Sequence, residues 1–288
     1  MTPRAETRNT AGVSSIRGYV AGCHPAPSLV VTGIASALAA SVGRGAAGSV
    51  LVGVTVLVGQ LSIGWSNDWL DADRDVASAR TDKPAATGVI RPAHLRTAAF
   101  VALATCIPLS FASGWAAGWA HLGLVGSGWA YNLGLKRTWV SWVPYAIGFG
   151  LLPAFVTLGL ASAPWPPWWV VMVGSLLGVA AHFANVLPDI DDDVAQGILG
   201  FPQRIGRHYA GVVALTLLVV ATLIVLLAPV GTPSLLGWIA AGVVGVVAGV
   251  GYWSLRRTNV VRRVFSCAMT IAVVDVVIFV TATSRLYS

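Results

Sequence analysis

The sequence predicts an all-α fold, a polytopic membrane protein of about nine transmembrane helices. Three observations carry that expectation. Hydrophobic residues make up 56% of the 288 residues and charged residues only 10%, far less charge than a water-soluble domain carries. Apolar runs near twenty residues recur along the whole chain, the length a membrane-spanning helix needs. The basic residues fall in the short stretches between those runs.

The elements follow in order. Residues 1–20 read as a flexible, polar cytoplasmic start without an apolar core, so no signal peptide is expected. His24-Pro25-Ala26-Pro27 forms a turn, and Pro27 to Gly43 makes the first span. Arg44-Gly45 turns the chain into a second span, Ala46 to Ser66. A polar loop follows from Asn67 to Pro92, where Pro84, Gly88 and Pro92 rule out one long helix. The third, fourth and fifth spans are Ala93 to Gly114, Trp115 to Leu133 and Trp139 to Leu160. Pro164 to Trp169 is a turn with an interfacial aromatic cluster, and a sixth span ends at Leu187, where Pro188 breaks it. Residues 197–206 read as a loop. His208 to Pro229, Pro233 to Leu255 and Val264 to Thr283 complete the nine. The whole of 1–288 is expected to form one domain.

With the N-terminus inside, sixteen of the eighteen Lys and Arg residues fall on the inner side, leaving Arg44 and Arg285 outside. This places the C-terminus outside and the protein in the cell membrane. The net charge of +7 is therefore read as topology and not as a nucleic-acid surface. Cys23, Cys106 and Cys267 stand singly, without metal-ligand spacing, and read as small apolar fillers.

Eight of the eleven acidic residues lie in two short stretches, Asn67 to Asp75 and Asp189 to Asp193. Both fall on the inner side, in equivalent connections after the second and sixth spans, which suggests a loose internal repeat. In a helix Asp68, Asp71 and Asp75 share one face, with Asn67 beside them. Asp73 points elsewhere, to solvent or to Arg74 or Arg80. Asp189 and Asp193 are likewise i, i+4, and Asn185 extends that face one turn deeper. Sparse hard-oxygen ligands suit Mg²⁺, which keeps waters and shares its shell with substrate phosphates. Two facing clusters with Mg²⁺ would clamp a diphosphate and stabilise it as a leaving group. The reaction such a site suits is ionisation of an allylic diphosphate, whose lipophilic tail explains the membrane setting. The alternative, solvated loop charges at membrane exits, does not account for the matching Asn-then-Asp spacing at equivalent loops.

Five segments in order resemble motifs of the UbiA superfamily of intramembrane prenyltransferases. They are Asn67, Asp68, Asp71 and Asp75; Arg80 to Pro84 with Gly88 and Ile90; Tyr131 to Arg137; Asn185, Asp189 and Asp193; and Pro202 to Gly206. The resemblance covers nearly the whole chain. It implies helices around a central cavity that opens to lipid and is capped by cytoplasmic loops. It implies that Asn67, Asp68, Asp71, Asp75, Asp189 and Asp193 bind diphosphate through Mg²⁺. It gives catalytic roles to Asp71, Asp189, Tyr131 and Lys136, and phosphate contacts to Lys136, Arg80, Lys83 and Arg204. Many family members have Arg-Pro where this chain has His24-Pro25, near the acceptor pocket.

Other residues admit two readings. His182 shares the face of Asn185 and either lines the cavity or packs helices. Asp275, inside the ninth span, either orients the acceptor or takes a proton, or is a buried carboxylic acid. Trp65 and Trp69 read as interface anchors, and His121 and His208 as interfacial. The expected activity is Mg²⁺-dependent transfer of a prenyl group from an isoprenyl diphosphate to an aromatic acceptor. A UbiA-type terpene cyclase or a sugar-phosphate prenyltransferase would use the same diphosphate residues. A cation transporter fits less well, because transport sites sit near the midplane and these clusters sit at span ends.

Overall fold

A computed structural model describes residues 16–78, 80–81, 83–257 and 261–286, and among them the regular structure is entirely helical. Helices α1 (Ile16–Gly22) and α2 (Pro25–Ser41) meet at a bend of 63°. They are followed by α3 (Gly45–Ala77), α4 (Pro92–Phe111), α5 (Trp115–Leu133), α6 (Val143–Thr157) and α7 (Trp168–Val186). The chain closes with the short α8 (Ile190–Ala195), then α9 (Phe201–Leu227), α10 (Leu235–Ser254) and α11 (Val261–Ser284). A 3₁₀ turn, Leu135–Arg137, joins α5 to the α6 region.

Each of the nine expected spans coincides with one of these helices. Six (α3, α4, α7, α9, α10 and α11) are long and apolar enough to cross a membrane, and the bent pair α1–α2 adds a seventh. Their outer faces are apolar: Val101, Leu223, Val243, Val246, Val250 and Val273 are all exposed. That much exposed hydrocarbon on one molecule requires lipid as its solvent.

Three boundaries differ from expectation. Residues 16–22 are helical, where a flexible start to residue 20 was expected; residues 1–15 lie outside the described residues. Trp65 explains the difference, since its indole Nε1 donates to Tyr19 O at 2.8 Å and ties α1 to α3. Helix α3 does not stop at Ser66 but runs on through the first Asp cluster to Ala77. Its 33 residues span about 50 Å, well beyond a bilayer core of about 30 Å. The expected loop at 201–206 is the first turn of α9, set off from the rest by Gly206 at φ 79°, ψ 165°. Glycine adopts that left-handed φ without a Cβ penalty.

The helices form a closed ring. Sequential neighbours pack from α2 to α7, then α7 on α9, α9 on α10 and α11, and α11 returns to α2. Small residues allow the closest approaches, as is usual where lipid provides no hydrophobic drive between helices. A Cβ at Gly174 or Gly178 of α7 would stand 2.5 Å from the carbonyl oxygens of Phe149 or Tyr145 on α6. At the end of α3 away from the Asp cluster, Arg44 hydrogen-bonds Val156 O at 3.1 Å and Ser113 Oγ at 3.2 Å. It thereby joins the α2–α3 turn to the ends of α4 and α6.

Candidate active site

The continuation of α3 puts Asp68, Asp71 and Asp75 on one buried face, with 1%, 4% and 1% exposure. Asp73, between them, is exposed. Buried carboxylates need partners, and this face has a belt of cations. Lys136 Nζ donates to both oxygens of Asp71, at 2.5 and 2.6 Å. Arg74 Nη2 also reaches Asp71, at 2.9 Å, and lies 3.5 Å from Asp75 Oδ1. Lys83 Nζ donates to Asp68 Oδ1 at 2.7 Å, and His24 Nε2 lies 2.9 Å from the same oxygen. Sequence reasoning gave Arg74 only as a partner for Asp73; helical geometry turns it onto Asp71 and Asp75 instead.

His24 occupies a left-handed conformation, φ 51°, rare for a residue with a Cβ. The strained corner between α1 and α2 brings its ring onto Asp68. Gly64 makes room for that corner, because a Cβ there would meet Cys23 backbone atoms at 2.6–2.9 Å. His24 thus sits with the first Asp cluster.

Asn132 is a site residue that its sequence position alone did not reveal. It is buried, its Nδ2 donates to Ile63 O and Ser66 Oγ, and its Oδ1 accepts from Asn67 Nδ2 at 3.1 Å. This network fixes the Asn67 amide and anchors the end of α5 on α3. The polypeptide then enters the 3₁₀ turn that carries Lys136. Burial pulls the Lys136 ammonium below the ordinary lysine range, and the Asp71 carboxylate opposes that fall.

The second cluster is built differently from one continuous helical face. Helix α7 ends at Val186 and Asp189 precedes α8, so the break at residues 187–189 separates Asn185 from Asp189. Both are exposed. Asp193 is half-buried, its N–H donates to Asp189 O at 2.8 Å, and its Oδ2 accepts from Gln203 Nε2 at 2.9 Å. Burial pushes the Asp193 carboxyl above the ordinary range; the Gln203 hydrogen bond pulls it back, and the Asp189 charge adds to the rise. Gln203, between Pro202 and Arg204, has no signal in the sequence, because its neutral amide carries no charge.

The two clusters approach one another through the Tyr131–Lys136 segment. Tyr131 lies within electrostatic reach of both Asp71 and Asp193, and Asp193 within reach of Arg74 and Arg80. Gly200 sits so close to the Lys136 turn that a Cβ would stand 2.7 Å from Lys136 O and from Gln203 Oε1. Phe201 N donates to Ser141 Oγ, which lies 3.1 Å from His182 Nε2. Below them is an aromatic group: Tyr145 stacks on His182 at 4.6 Å, and Tyr131 meets both edge-on, at 5.2 and 5.6 Å.

Two expected site residues, Arg204 and Asp275, make contacts outside the two Asp clusters. Arg204 donates to Leu199 O and stacks over Trp139 at 4.9 Å. Asp275 is fully buried between α11 and α9, where Thr222 Oγ1 donates to its Oδ1 at 2.6 Å. His121 is core and not interfacial: it is fully buried, with Nδ1 2.8 Å from Ser110 Oγ and its ring 4.6 Å from Phe155. Asp82, in the motif after the first cluster, lies outside the described residues.

The donor set fits Mg²⁺. Asp68 Oδ2 and Asp75 Oδ2 are buried without a hydrogen-bond partner among the described residues. No three acidic, His or Cys side chains there converge on one point. The two unpartnered carboxylate oxygens are hard donors of the kind Mg²⁺ takes beside water and substrate oxygens.

Comparison with known proteins agrees with this geometry. Residues 28–274 match the model of the UbiA prenyltransferase family. The 4-hydroxybenzoate octaprenyltransferase of Ralstonia nicotianae (strain ATCC BAA-1114 / GMI1000) is 30% identical over 204 residues, covering 67% of each chain. A UbiA homologue from Aeropyrum pernix K1 has a TM-score of 0.69 at 16% identity, covering 88% of this chain and 97% of that one. A UbiA homologue from Archaeoglobus fulgidus bound to DMAPP and Mg²⁺ gives 0.66 at 14%, covering 93% and 99%. At these identities the structures share the fold, while the family match extends through the motifs. This multi-pass membrane protein therefore belongs to the UbiA prenyltransferase family and is a prenyltransferase.

Proposed function

We propose that the chain binds an isoprenyl diphosphate between its two Asp clusters, breaks the allylic C–O bond, and transfers the prenyl group to an aromatic acceptor. The observation that carries this reading is the Tyr131–Lys136 segment, whose Lys136 ammonium pairs with Asp71 and whose Tyr131 lies within electrostatic reach of both Asp71 and Asp193. The UbiA homologue from Archaeoglobus fulgidus, with GPP and Mg²⁺ or DMAPP and Mg²⁺ bound, supports the donor chemistry. The relative from Ralstonia nicotianae supports an aromatic acceptor.

Asn67, Asp68, Asp71 and Asp75 on α3, with Asp189 and Asp193 around α8, would hold Mg²⁺. When bound, it supplies charge neutralisation for the departing diphosphate. Lys136, Lys83 and Arg74 are already stationed beside these carboxylates and can turn onto phosphate oxygens, adding charge-assisted hydrogen bonds as negative charge grows. Arg80, within electrostatic reach of Asp193, and the exposed Asn185 would add contacts to the diphosphate. Tyr131, Tyr145 and His182 offer aromatic faces to an allylic cation. Loss of a proton from the alkylated ring restores aromaticity. With nine crossings and the basic residues inside, as the charge distribution suggests, the site would face the cytoplasm and the C-terminus the outside of the cell membrane.

Purified protein incubated with Mg²⁺, geranylgeranyl diphosphate and 4-hydroxybenzoate tests the proposal. Mass spectrometry should find a prenylated ring, with diphosphate release that depends on the acceptor. Release without acceptor, accompanied by a cyclic hydrocarbon, would replace transfer by cyclisation. No release with any donor length would overturn the reading.

A further inference from the structure

One cavity is lined by none of the residues assigned above to the diphosphate site. It measures about 430 Å³ and lies where the ends of α7, α9, α10 and α11 meet. Arg207, His208, Arg257 and Arg262 line it, and none of its described lining residues is acidic. Ser254, also in the wall, is fully buried, and its hydroxyl oxygen has no hydrogen-bond partner among the described residues. Arg207 Nε is buried and unpartnered as well. Unmet buried polar atoms in a concave cationic wall are costly unless a ligand satisfies them.

The remaining groups show how much cationic capacity is committed. Arg207 Nη2 pairs with Asp191 at 2.9 Å, and the Arg257 guanidinium lies 3.9 Å over the Trp253 ring. His208 Nδ1 lies 3.3 Å from Leu255 O. Arg262 forms no ion pair or hydrogen bond through its guanidinium among the described residues. Leu187 and Val264 make the rest of the wall apolar. The adjoining α10 exposes Val246, Val250 and Trp253, a surface for hydrocarbon with an aromatic at its end.

We propose that this cavity binds the phosphate headgroup of an anionic phospholipid, with Arg257, Arg262 and Ser254 as donors and the acyl chains along α10. Basic pockets between helix ends at a membrane surface are suited to such headgroups. Free phosphate shares the charge but has no use for the apolar wall.

Native mass spectrometry of the full chain, equilibrated in detergent with equal phosphatidylglycerol and phosphatidylcholine, tests this. The wild type should retain phosphatidylglycerol at least tenfold over phosphatidylcholine. Arg257→Gln with Arg262→Gln should abolish that preference. Ser254→Ala, which keeps every charge, should weaken it several-fold without lowering the unfolding midpoint. Prenyl transfer should be unchanged in both variants. Equal retention of the two lipids, or a wild-type ratio in the double variant, overturns the proposal. Complete displacement of the lipid by millimolar inorganic phosphate overturns the lipid source.

Discussion

Lys136 and Asp71 illustrate how one pair serves both fold and chemistry. Both are buried, so each compensates the other's lost hydration. Lys136→Met removes the ammonium and leaves Asp71 with Arg74 alone. Diphosphate release should fall about 10²–10³-fold, the usual cost of losing one preorganised charge donor. The loss should appear mainly in kcat, and full activity in this variant would separate Lys136 from the reaction. Asp193 predicts a pH effect. Its carboxyl is held above the ordinary range, so protons compete for it at a higher pH than for an exposed aspartate. Gln203 favours the ionised form by donating to it. Gln203→Leu should therefore raise the Asp193 pKa further and move the acid limb of the Mg²⁺-dependent rate to higher pH. A limb that stays in place or moves down would contradict this role. Charges and spacing on α3 were legible in the sequence. Asn132 and Gln203 were not, because a neutral amide becomes a site residue only through what the fold packs against it.

Among the elements, α3 matters most, because it is a span and a catalytic arm in one helix. The i, i+3, i+7 spacing of Asp68, Asp71 and Asp75 had meaning only if the helix continued past Ser66, and it does. The spacing of Asn185, Asp189 and Asp193 carried less, because Pro188 stops α7 from running into α8. The α1–α2 corner lies over α3 at Gly64. Gly64→Ala should force Cys23 and His24 away from Asp68, at a cost of about 1–3 kcal/mol. The expected result is a lower unfolding midpoint in detergent together with weaker donor binding. A variant with unchanged midpoint and unchanged KM would show that the corner yields without consequence. Arg44 is the control at the opposite end. Arg44→Ala breaks hydrogen bonds to Val156 and Ser113 and should lower the midpoint while leaving KM for the diphosphate unchanged.

At the scale of the whole molecule, the ring of helices brings together two acidic segments about 120 residues apart in sequence. The ring closes through α11 on α2, and Tyr131 lies within electrostatic reach of both Asp71 and Asp193. Hydropathy made the helices legible, because each span must bury its own backbone polar groups in lipid. The close packing of α7 on α6 was not legible, since it depends on Gly174 and Gly178, which have no hydropathy signature. The account's central claim is that both clusters act on one diphosphate. Its most direct test is the rate of Mg²⁺-dependent diphosphate release by purified Asp71→Asn and Asp193→Asn variants whose unfolding confirms a native fold. Each substitution alone should lower the rate at least a hundredfold, and chelation of Mg²⁺ should abolish it in the wild type. A wild-type rate in either variant would contradict the claim.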